Sequence, residues 1–123
     1  FRKGAIMIFT IPFRLPGLNE YTKACRGNKY AGAKFKSDIE DSILWLLKAQ
    51  RWKITKPIHI TFIWHEATRR RDKDNVAFAK KFILDALQKS GKLPNDNNDY
   101  IDSFADDFVY GKGDSVVVEI MEK

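Results

Sequence analysis

A chain of 123 residues with 44% apolar and 13% aromatic side chains can bury about two thirds of its unfolded surface, so one unstapled domain is expected and a disordered chain is excluded. The single Cys25 rules out an intramolecular disulfide and a cysteine-built zinc site. No run reaches the roughly 20 apolar residues of a membrane span, so a cytoplasmic protein away from membranes is expected. The 22 Lys and Arg against 16 Asp and Glu leave a net charge of +6, a field that attracts polyanions such as nucleic acid.

Ala5 to Ile11 is a short apolar run closed by Pro12 and predicts a first strand. From Pro12 to Ala33 the text is punctuated by Pro16, Gly17, Asn19, Gly27, Asn28 and Gly32, which predicts a long loop. Its Arg14, Lys23, Arg26 and Lys29 beside Tyr21 and Tyr30 would suit a nucleic-acid backbone. Between Lys34 and Gln50, Phe35, Ile39, Ile43, Leu46 and Leu47 recur at three- and four-residue steps and predict a helix. Ile58, Ile60, Phe62 and Trp64 alternate with polar neighbours and predict a strand, with His59 and His65 on its outer side and without chemistry.

Arg69-Arg70-Arg71-Asp72-Lys73-Asp74-Asn75 then leads into Val76, Ala79, Ile83, Ala86 and Leu87, a second helix ending near Ser90-Gly91. Pro94 to Asp99 is rich in turn residues. Tyr100–Tyr110 and Ser115–Met121, joined around Gly111-Lys112-Gly113-Asp114, predict a terminal hairpin. The fold class that follows is α+β, one domain over residues 1–123, a mixed sheet with two main helices packed on it.

Asp72, Asp74 and Asp96 lie on loops flanking the same predicted helix, and a short return through Leu93-Pro94 would gather them. Carboxylate oxygens suit hard cations, and Mg²⁺ takes a few of them while keeping waters and phosphate oxygens. Such a cation acidifies water and steadies charge on a scissile phosphate. The competing structural account has Asp74 capping the helix and Asp96 in a turn. Arg69, Arg70 and Arg71 beside the acids favour a site that holds a cation and a polyanion together. An EF-hand is excluded, because the loops lack its glycine at position 6 and glutamate at position 12. Lys81 lies seven residues after Asp74 and shares its helical face with Phe78 and Asp85, which could orient it; Lys80 is the alternative lysine.

The run Arg70-Arg71-Asp72-Lys73-Asp74-Asn75, with Lys81, Asp85-Ala86-Leu87 and Asn95-Asp96, resembles the RusA family of Holliday-junction resolvases, as does the early Leu15-Pro16-Gly17-Leu18-Asn19. The resemblance implies a homodimeric endodeoxyribonuclease that resolves four-way junctions and related branched DNA in recombination and repair, dependent on Mg²⁺ or on Mn²⁺ in its place. It further implies Asp72, Asp74 and Asp96 as metal-binding acids, Lys81 as the catalytic lysine, and Asn75 and Asn19 as supporting residues. In the better-known form of the family the lysine follows the second Asp by four residues, where this chain has Phe78; counting back from Asp85-Ala86-Leu87 restores the match at Lys81. Arg69, Arg70, Arg71, Lys23, Arg26 and Lys29 would grip the DNA backbone. The rival reading is a junction-binding module without catalysis.

Overall fold

The computed structural model describes residues 6–123; Ala5, the expected start of the first strand, lies outside them. The elements run β1 (Ile6–Ile11), α1 (Leu18–Gly27), α2 (Lys29–Leu47), β2 (Ile58–Glu66), α3 (Lys73–Ala77), α4 (Lys80–Lys89), β3 (Ile101–Tyr110) and β4 (Ser115–Glu122). They form a small α+β fold around one four-stranded mixed sheet of order β1-β4-β2-β3.

Alternation sorts the strand side chains. Met7, Phe9 and Ile11 of β1, Ile58, Ile60, Phe62 and Trp64 of β2, and Val116, Val118 and Ile120 of β4 are buried on one face. The helices complete that core with Ile43 and Leu47 from α2, Val76 from α3, and Phe82, Ile83, Ala86 and Leu87 from α4. At about 25 cal/mol per Å² of apolar surface removed from water, this layer dominates the favourable side of folding. The other face of the sheet is open: Ile6, Ile8 and Met121 are 60%, 51% and 38% exposed, and His59 lies there with Nδ1 2.7 Å from Ser103 Oγ.

The expected loop from Pro12 to Ala33 is mostly helical. Asn28 ends α1 and starts α2, its side chain accepting from the Ala31 N–H at 2.8 Å. Lys23 and Arg26 therefore stand on α1 and Lys29 at the head of α2, all exposed. The second expected helix is split into α3 and α4 around Phe78-Ala79.

The terminal hairpin is also corrected. β4 pairs antiparallel with β1 and β2, while β3 pairs parallel with β2 at the sheet edge. The segment 111–114 thus passes over the end of β2, crossing about 10 Å. Bonds from Gly111 N–H to Glu66 O and from Ala67 N–H to Asp114 Oδ1, both 2.9 Å, fasten it there.

Candidate functional site

The site begins where β2 runs out. Glu66 continues the inward parity of Trp64, so its carboxylate arrives buried and needs a partner. Arg71 supplies it in a forked pair, Nε to Oε1 at 2.9 Å and Nη2 to Oε2 at 2.7 Å, and also donates to Leu15 O at 3.0 Å. Arg71 was expected to grip DNA. Instead it fastens the segment before α1 to the end of β2, because a buried carboxylate claims the nearest guanidinium. Arg69 and Arg70 remain exposed.

Asn75 and Asn19 meet, as part of the frame. Gly17 heads α1 with no side chain to cap it, and the Asn75 side-chain oxygen accepts the Asn19 N–H at 2.9 Å in its stead. Glu20 anchors the same corner. Burial alone raises its carboxyl, but hydrogen bonds from Arg14 and Gly17 N–H and the charges of Arg14 and Arg71 outweigh that and hold it below the ordinary 4.5.

Asp72 occupies the cap position of α3, yet its carboxylate makes no capping bond, and Asp74 follows in the first turn. Asp74 opens onto a depression of about 520 Å³ that Leu18, Ala77, Phe78, Lys80, Lys81 and Asp106 also line. Water occupies about 30 Å³ per molecule, so a phosphodiester and its hydration fit. Asp106 is the residue that sequence reasoning missed. It accepts from Trp64 Nε1 at 2.9 Å and from Lys80 Nζ at 2.5 Å. One signal was available: Asp106 shares strand parity with Phe104, Phe108 and Tyr110, and so interrupts an aromatic face with a carboxylate.

The two candidate lysines separate cleanly. Lys80 is largely buried against Asp106 and lies over the Phe104 and Phe62 rings, whereas the Lys81 side chain is 58% exposed. Lys81 reaches Asp85 at 3.5 Å, but Asp85 is held more closely by Lys36 at 2.9 Å. The hydrogen bond from Lys36 to Asp85, with the nearby charges of Asp85 and Glu40, outweighs burial and raises the Lys36 ammonium above 10.5.

Asp96 is placed differently from the expectation. It borders a second depression with Lys36, Lys81, Asp85, Gln88 and Lys89. Among the described residues, no group of three or more His, Cys, Asp or Glu is gathered closely enough to hold a metal ion. The reason is topological. With β2 and β3 parallel, the β2–α3 junction that carries Asp72 and Asp74 lies at one end of the sheet and the α4–β3 segment that carries Asp96 returns to the other. Lys81 borders both depressions.

The donor chemistry at the first depression nevertheless suits Mg²⁺, which binds through one or two carboxylates and completes its shell with water and substrate phosphate. Asp74 and Asp106 are two such groups, with Lys80 competing for Asp106. No protein-family model matches the chain, and a search of curated proteins finds no match.

Proposed function

We propose that this chain is a Mg²⁺-dependent endodeoxyribonuclease of branched DNA, acting as a homodimer on four-way junctions in the manner that its RusA-like motifs imply. The observation that carries the reading is the shared depression in which Asp74 and Asp106 face Lys80 and Lys81, with Asp72 two residues before Asp74 and exposed Arg69, Arg70 and Lys73 beside it. Asp74 and Asp106 would hold the cation; Asp72 and Asp96 stay candidates only from their motif. Bound there, Mg²⁺ would acidify water and offset phosphate charge.

The chain's own groups have distinct tasks. Lys81 donates from solvent-facing Nζ to a non-bridging phosphate oxygen and strengthens that bond as charge develops. Lys80 holds Asp106 in place, and Trp64 fixes its other oxygen. Arg69, Arg70 and Lys73 position the backbone, without reading bases. Hydrolysis forms a bond from water oxygen to phosphorus and breaks the bond to the 3′ oxygen, leaving a 5′-phosphate and a 3′-hydroxyl. Two-fold symmetry would set two such sites against the matched strands of a junction. A cytoplasmic location follows from the same reading.

The second reading, a junction-binding module without catalysis, is favoured by one specific observation: Asp96 does not join Asp72 and Asp74. End-labelled four-way junction and matched linear duplex, incubated with Mg²⁺ or with EDTA, separate the two. Paired, ligatable cuts in the junction alone, dependent on Mg²⁺ and absent from Asp74→Asn, are expected. Tight junction binding with no cuts under any condition would leave the binding module standing.

A further inference from the structure

β3 is an edge strand, and its helix-side parity presents Phe104, Asp106, Phe108 and Tyr110 in a row, about 6.7 Å from one residue to the next. Phe104 is 55% exposed. A cation accompanies each ring: Lys80 Nζ stands 4.1 Å from the Phe104 centroid, Lys73 Nζ 5.5 Å from Phe108, and the Arg69 guanidinium 4.2 Å from Tyr110. The row passes Asp106, so it leads into the depression of Asp74 and Lys81.

We propose that this edge of β3 is a stacking track for unpaired nucleotides, which it delivers to the Asp74–Asp106 depression. The inference deepens the nuclease reading and takes from it only that the partner is nucleic acid. Aromatic faces interleaved with cations match a single strand, whose bases offer free π-faces and whose phosphates follow at regular intervals. A duplex buries those faces in its own stack and would leave Phe104 without a partner. Arg69 and Lys73 are exposed beside their rings and would meet the phosphates next to stacked bases, while Lys80, held by Asp106, backs the Phe104 ring.

The test is fluorescence anisotropy in EDTA at fixed salt, with labelled oligothymidylate of about 15 nucleotides and an abasic strand of equal length and charge. The wild-type chain should prefer the strand with bases by about five- to 150-fold, the range that one stacked base supplies. Phe104→Ala should lose most of that preference and Phe104→Tyr should keep it, with thermal melts confirming that both fold. Equal affinity for the two strands in the wild type overturns the track without recourse to any variant. So does a Phe104→Ala chain that keeps full preference, or one whose only change is a smaller sedimenting species, which would make Phe104 a contact between copies. Loss of cutting in Asp74→Asn with base preference intact bears on catalysis alone; cutting that persists without base preference sinks the track alone.

Discussion

Arg71 shows how a side chain's neighbours decide its work. Three consecutive arginines are equivalent in the sequence, but only Arg71 meets the buried Glu66 carboxylate. Arg71→Ala should destabilise the fold by about 3 kcal/mol, since it strands a buried charge, and lower the melting temperature by roughly 10 °C. Arg69→Ala, measured in the same melt, should cost no more than about 1 kcal/mol, the worth of its contact with the Tyr110 ring. Glu20 gives the pH counterpart. Its folded pKa lies below the ordinary 4.5, so its carboxylate stabilises the fold fully above the unfolded value, and that contribution is lost as pH falls through the folded one. Glu20→Gln should therefore be less stable than wild type at neutral pH, with the gap closing once the pH drops below 4.5; urea titrations across that range check it. That Asp74 and Lys81 fall on one side was legible from their seven-residue spacing, and both border one depression. Asp106 was not legible, because one Asp among several in an alternating strand acquires meaning only when its face is known.

At the scale of elements, the segment from Pro12 to Ala33 shows what local pattern conceals. The rhythm of α1 was there to find, Leu18, Tyr21, Ala24 and Cys25 at three- and four-residue steps, but it spans only ten residues between Gly17 and Asn28 and leaves none of them fully buried. Its glycines and asparagines look like loop punctuation, whereas Asn28 is a cap and Gly32 a point of close helix approach. A β-carbon at Gly32 would meet Cys25 Sγ at 2.7 Å and Cys25 Cα at 3.1 Å. Alanine gains about 1 kcal/mol in helix propensity over glycine, but overpacking costs typically 1–3. Gly32→Ala should thus be destabilising, and combining it with Cys25→Ala, which removes the sulfur, should recover part of the loss in a denaturant titration. The strongly periodic parts, α2 and β2, were readable because their apolar faces are deeply buried.

For the whole molecule, the α+β class and the mixed sheet followed from the order of periodic segments, but the strand order did not. A Gly-rich turn between two alternating runs says that the chain reverses; it does not say whether another strand lies between the arms. Here β2 lies between them, and β4 is the seam of the sheet: among the described residues it is the sole strand partner of β1 and one of two partners of β2. Without it, β1 and the β2–β3 pair share no ladder. The β4 amides should consequently exchange with deuterium only when the entire fold opens, more slowly than those on the outer edge of β3, as residue-resolved exchange would show. The consequence reaches the route by which the chain folds. The last strand in order is the keystone, and Ile6 pairs with Met121, so no local hairpin completes the sheet and its long-range pairing predicts slower folding than a chain of local contacts of the same size.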